Sequence, residues 1–351
     1  MIRTIRIASS EEFAAFAAEP DSGQQTVVEF ATDKLTLPFA GLNFRHRSGI
    51  TFRGETAPSG VLTISGGAFN LIGCESVTCR SMAFRLKRPT DRTPEKYEKS
   101  WKPLRVHAEH PDRPCRNIRF ESCSTSGGTD EIEVGPSDHA IWFRDWMGKP
   151  AAIGVTFDRH LFGPSLMGKM LDRERHNMGL ALSCVDDVLL TGCVFTGHNR
   201  RCPQIAGNNV RLEHCAVFDW GTMGTGFHSG STGSINACHF VRGPHTRLTE
   251  RAISLVEDTF ASPFGQLGYV TLAVSPNTVE YGIDWQPLRK GWNCWQEPLT
   301  TKGALWRRTA VIPLTPKPLT AIIASAGAGD STDVAIRREL TAKRHIAWRF
   351  D

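Results

Sequence analysis

The chain has 351 residues, 40% of them hydrophobic and 22% charged, with 32 glycines, 20 prolines and 3 tyrosines. This composition excludes a disordered or collagen-like chain, and the length suits two ordinary domains or one elongated repeat domain. The 41 basic and 36 acidic residues leave a charge of +5, which tolerates an anionic ligand but lacks dense basic clusters, and no apolar run nears the ~18 residues of a membrane helix. Neither nucleic acid nor a membrane is therefore expected as a partner.

Taken in chain order, the first residues carry arginines, but Glu11, Glu12 and Glu19 fall where a secretory leader would be apolar. No leader is expected, and the compartment is left open. The stretch from Glu11 to Ala18 has the spacing of a short amphipathic helix. Residues 1–30 are expected to form an N-terminal cap, because a repeat array must hide its first apolar coil and its open strand edges.

A short pattern, V-x-h-x-x-C-x-F with h apolar, then recurs. Copies start at Val77, Ile118, Val155, Val188, Val210 and, in degenerate form, Gly233. The last steps are 22 and 23 residues, and the longer gaps read as one repeat plus an inserted loop. Each copy alternates apolar and polar residues, which is strand periodicity, and Asn, Gly and Asp punctuate its ends. A strand-rich unit of this length buries its apolar face only by stacking on the next unit. The expected fold is all-β: a single-stranded right-handed parallel β-helix over residues 31–315, with long inserted loops.

Cys123, Cys193, Cys215 and Cys238 occupy one slot of this repeat and are expected as an inward stack of small free thiols. None of the ten cysteines forms a Cys-x-x-Cys pair, and no His-x-x-x-His pair appears, so no zinc site is expected. Beyond residue 246 the period fades and Trp285, Trp292, Trp295 and Trp306 gather, in a pattern of loops and irregular strands. Residues 332–343 again have helical spacing, and 316–351 are expected to form a tail packed on the β-helix.

Five ordered segments carry a family resemblance. The run from Cys123 to Glu131 (CSTSGGTDE) resembles the CSFSWGTDE segment of pectate lyases of polysaccharide lyase family 1. His198 to Pro203 resembles their H-x-x-R-x-P motif, and Phe218 to Gly221 their YNWG. The run from Cys238 to Pro244 is similar to NYYKPGP, and Ala326 to Arg337 to the AGA…RDAVDARV closure of bacterial members. Together these segments span roughly residues 70–344.

The resemblance implies β-elimination on a 1,4-linked polyuronate such as polygalacturonate, an anionic polysaccharide, by a monomer. It implies Arg201 as the base, with Lys169, His176, His198 and Arg200 as substrate contacts, and Ca²⁺ held by Asp130, Glu131 and Glu133. Glu131 and Glu133 are two residues apart on one strand, a spacing that puts both on one face. Two departures stand out: the preceding coil, where the family supplies further aspartates, reads Trp101-Lys102-Pro103-Leu104-Arg105, and Ala206 stands where a second substrate arginine is expected. Lys102 could act as a fixed positive charge in place of Ca²⁺, or abolish the metal site. Two other readings compete: a polysaccharide-binding β-helix without catalysis, virion-associated for instance, and a glycoside hydrolase on the same scaffold using Asp130 with Glu131 or Glu133.

Overall fold

The computed structural model describes all residues except 1, 87–101, 138–145, 147, 168–177, 229, 248, 250, 256–269, 297–305, 347–348 and 351, and describes only the backbone of 166–167, 296 and 349–350. The apolar/polar alternation read from the sequence becomes strands that pair in parallel, each with its counterpart in the next coil. The result is a right-handed parallel β-helix with three faces. One face runs through Leu42–Arg45, Phe69–Ile72, Leu104–Ala108 and Asp130–Pro136 into the first half of Met178–Thr191. A second runs through Ser48–Arg53, Glu75–Arg80, Cys115–Glu121 and Ala152–Asp158 into the second half of that same strand. The strand joins both faces because it bends at Cys184, where φ is 53° and the pairing slips between Ser183 and Val185. The third face is a 10-stranded sheet that includes Met82–Leu86, Ser124–Ser126, Leu161–Phe162, Val194–Thr196, Ala216–Phe218 and His239–Val241.

The sequence repeat is the register of the second face. Val77 pairs with Ile118, Ile118 with Val155, Val155 with Val188, Val188 with Val210, and Val210 with Gly233. Just before the cysteine slot the backbone turns through the left-handed region, at Ser81, Ser122, Arg159, Gly192, His214 and Ala237, with φ from 48° to 63°. Each non-glycine residue held there costs about 1 kcal/mol, and stacking identical corners makes the cost tolerable because every coil supports the next. The slot behind the corner needs a small side chain that can also satisfy a carbonyl. Cysteine fits: the thiols of Cys123, Cys193, Cys215 and Cys238 donate weakly to Cys79 O, Phe157 O, Leu190 O and Leu212 O of the preceding coil at 3.3–3.5 Å. All ten cysteines are free and buried, and burial pushes the Cys123 thiol up to about 12.

The ladder begins earlier than residue 31. Ile2–Ile7 pairs in parallel with Gln25–Phe30, and the helix α1 (Ser10–Ala18) sits between them in sequence. Ser9 caps α1 by accepting from Glu12 N, while the Glu12 carboxylate accepts from Ala8 N at 2.7 Å. Its Phe13 plugs the open end of the core, with ring centroids 5.6, 6.0 and 6.3 Å from Phe44, Phe52 and Phe69. Arg47 holds the other end of the helix by donating to Phe16 O and Glu19 O.

At the far end of the sequence, α2 (Leu319–Ser325) and α3 (Ser331–Thr341) lie on the outer side of the third face. Ile322, Ile323, Ile336 and Leu340 pack there on Leu161, Val194, Phe218 and Val241. Arg85 fastens this tail, donating to Asp330, Asp333 and Ser124 at 2.7–3.0 Å. Trp292, Trp295 and Trp306 form one cluster, with Arg308 over two of the rings.

Two outcomes are expected. Phe13→Ala should destabilise the protein by about 3–5 kcal/mol in urea unfolding, since a fully buried ring leaves a cavity at the end of the core. Ellman's reagent should find no thiol in the native protein and all ten after denaturation; rapid native labelling would contradict the inward stack.

Candidate functional site

Parallel register brings distant residues together on the first face. Leu104 pairs with Ile132 and Arg105 with Glu133, so Lys102, two residues before Leu104, arrives opposite Asp130. Its ammonium donates to Glu133 Oε2 at 2.6 Å and lies 3.7 Å from Asp130 Oδ2. All three side chains are almost wholly buried, at 1%, 2% and 3% exposure for Lys102, Asp130 and Glu133. His107 Nε2 lies 3.3 Å from Glu133 Oε2; burial pushes its pKa below the usual histidine range, against the pull of Glu133.

Arg201 reaches the same cluster from two coils further on. Asp130 pairs with Met178, and Met178 bridges to Arg200. The Arg201 guanidinium donates to Asp130 Oδ2 at 3.3 Å, the oxygen that also faces Lys102, and keeps 23% of its side chain exposed. Its backbone is left-handed, φ 65°. Leu180 N donates to Arg201 O at 2.7 Å and Gly179 N to Arg200 O at 3.2 Å. A Cβ on Gly179 would fall 2.6 Å from Arg201 O, so glycine is what lets this turn lie against the coil beneath it.

Of the other expected site residues, Arg200 is half-buried beside Arg201. Lys169 and His176 lie outside the described residues. Glu131 does not join Glu133: its Oε1 accepts from Gly128 N at 3.2 Å, and burial pushes its carboxyl well above the usual carboxylate range, with Ser165 and Arg85 opposing the shift. His198 is corrected too. Its ring has no exposed surface, lies edge-on to Phe195, and burial pushes its pKa down to about 3. It is an interior imidazole, out of a polymer's reach, and its chain carries the turn: His198 O and Asn199 O both accept from Gly221 N.

The cluster does not fit the Ca²⁺ implied by the resemblance. That ion takes about six to eight oxygen ligands. Here Asp130 and Glu133 already face an ammonium, Glu131 is turned elsewhere, and among the described residues no group of three or more His, Cys, Asp or Glu side chains could hold a metal ion. Among the described residues, Lys102, Arg105 as the ladder partner of Glu133, and Arg201 stand around these two carboxylates.

Sequence reading passed over His107, whose only signal is its place on the strand that follows Lys102. It also passed over a partner for Asp219, a buried residue of the YNWG-like segment whose carboxylate accepts from His245 N at 2.9 Å and lies 2.6 Å from His245 Nδ1.

No family model matches the chain, and no curated protein does. Solved structures do. A pectate lyase from Paenibacillus sp. 0602 superposes with a TM-score of 0.57 at 13% identity, over 95% of this chain and 93% of that one. A pectate lyase from a Bacillus species, in complex with trigalacturonate, gives 0.54 at 8% identity over 93% and 94%. A pectate lyase variant from Xanthomonas campestris gives 0.52 at 11% over 94% of each chain. The chain has the pectate lyase-like fold, a right-handed parallel β-helix.

The buried imidazoles set a pH response. The pKa values of His198 and His160 are both pushed by burial to about 3, below the ~6.5 of an unfolded histidine. Their neutral forms contribute full stability above pH ~6.5. That contribution falls by about 1.4 kcal/mol per pH unit per residue as pH drops toward 3, because only the unfolded chain takes the proton. Urea unfolding between pH 6.5 and 4.5 should show this loss, and His198→Gln should reduce it by about 2 kcal/mol; an unchanged slope would place the His198 ring in contact with water.

Proposed function

We propose that this chain is a lyase that cleaves a 1,4-linked polyuronate, polygalacturonate or a close relative, by β-elimination, with Arg201 as the base. The observation that carries the reading is the meeting of Arg201 with Asp130. Two segments 71 residues apart, each separately similar to a pectate lyase motif, converge on one face of a pectate lyase-like helix. The trigalacturonate bound to the Bacillus enzyme supports the choice of an anionic polymer.

The chemistry asks for two things. The C5 proton of a uronate lies α to a carboxylate and is feebly acidic, so cations must stabilise the charge that develops as it leaves. Arg200, half-buried beside Arg201, supplies positive charge there, and Lys169 and His176 are proposed as further carboxylate contacts. A base must also reach C5. A guanidinium is an unusual choice for this role, because only its neutral form has an electron pair to take the proton. Lys102 faces the same Asp130 oxygen as Arg201, which divides that carboxylate between two cations. The proton then passes from C5 to the neutral guanidine form of Arg201, the C5–H electron pair forms the C4–C5 double bond, and the C4–O4 bond breaks, the O4 oxygen leaving with its electron pair and taking a proton from solvent.

The test is absorbance at the unsaturated-uronate band with polygalacturonate as substrate. The native protein should give a steady rise, and Arg201→Ala should lower the rate by roughly 10²–10⁴-fold, the usual worth of a general base, with a native circular dichroism spectrum. No rise on this or other uronate polymers, with binding to polygalacturonate retained, would replace the lyase by a polysaccharide-binding β-helix.

A further inference from the structure

We infer that Lys102 is the resident cation of this centre, and that the centre neither binds nor needs a divalent metal. The inference deepens the lyase reading by stating how its acidic cluster is neutralised, and it is decided by metal binding rather than by turnover.

The argument starts from burial. Two carboxylates within reach of one point, both almost wholly buried, repel each other unless a cation lies between them. Lys102 provides that cation: its nitrogen is 2.6 Å from Glu133 Oε2 and 3.7 Å from Asp130 Oδ2, with the side chain 1% exposed. The position is fixed by the fold rather than by the flexibility of the lysine. The segment is held where Phe69 N donates to Pro103 O at 2.9 Å, and the register from Leu104 to Ile132 sets Lys102 against Asp130.

A divalent ion entering here would have to expel the ammonium from its carboxylates. It would also meet Arg201, which donates to Asp130 Oδ2 at 3.3 Å, and Arg105, which neighbours Glu133 across the ladder. A lysine that is wholly covered has no solvent into which to withdraw. The charge that a metal would bring is already present, and Asp130 Oδ2 and Glu133 Oε2, the oxygens nearest that point, already face cations.

Lys102 is buried, so it does not touch substrate. It is a positioning residue that holds Asp130, and through Asp130 the guanidinium of Arg201. Replacement by arginine keeps the charge, and replacement by alanine leaves Asp130 and Glu133 facing each other across an empty space.

The experiment is calorimetric titration of the full chain with CaCl₂, alongside its thermal unfolding midpoint in EDTA and in millimolar CaCl₂. The wild-type protein should give no binding heat and one midpoint in both conditions. Lys102→Ala should unfold at a lower temperature in EDTA and recover part of the loss in CaCl₂, with a newly acquired stoichiometry of one Ca²⁺. Lys102→Arg should remain indifferent to the ion. A wild-type protein that binds one Ca²⁺, with binding abolished by Asp130→Asn, would overturn the inference. So would a folded Lys102→Ala whose midpoint equals that of the wild type in both conditions. The wild-type titration decides the matter even where the alanine variant does not fold. Uronate absorbance in the same buffers separates this question from the lyase reading: failure of turnover with no Ca²⁺ binding refutes the lyase alone.

Discussion

Coil-on-coil register is the constraint on which everything else depends. A coil of three short strands has no interior of its own; it buries its apolar side chains and pairs its backbone groups only against the coil before and the coil after. Once Val77, Ile118, Val155, Val188 and Val210 are set in one column, the corners must superpose as well. The left-handed residues at Ser81, Ser122, Arg159, His214 and Ala237 are therefore one feature repeated. The thiol slot behind them follows from the same geometry, since the space is small and one carbonyl of the preceding coil faces into it.

The ends of such a stack are exposed by construction, and this chain closes one of them with phenylalanine. Phe13 from α1 meets Phe44, Phe52 and Phe69, which come from successive coils and the helix's own neighbourhood. The side of the stack is covered by a tail whose fastening is ionic. Arg85 binds Asp330 and Asp333, and its charge also acts on Glu131, the buried carboxyl on the strand that begins with Asp130. The covering of the third face and the strand that carries the candidate site thus share one buried arginine.

The fold was legible in the sequence because the period that specifies it is a local signal, copied along the chain. The cysteine slot was legible for the same reason. The site was only half legible. Asp130 and Arg201 stand in recognisable segments, but their meeting depends on a ladder that passes through Met178, which no short motif encodes. Lys102 was visible as a departure from the family pattern, while its contact with Glu133 required the register. Glu131 and His198 misled because both sit in motif segments and neither has any exposed surface. The Glu131 carboxylate is taken up by Gly128 N, three residues back in its own segment. His198 serves the turn with its backbone carbonyl and the core with its ring.

The exposure of the four charged side chains explains how such a centre can exist. Lys102, Asp130 and Glu133 are covered, and Arg201 alone keeps about a quarter of its surface. A buried ion pair is poor evidence for stability, because desolvation of both partners opposes their attraction. Its value here lies in direction: the covered lysine and carboxylates fix the one group that reaches outward. Arg201 spans two coils to do so, over a strand that offers Gly179 at the crossing. A side chain there would drive the turn away from Asp130, and of these four charged groups the one that keeps exposed surface would leave the cluster.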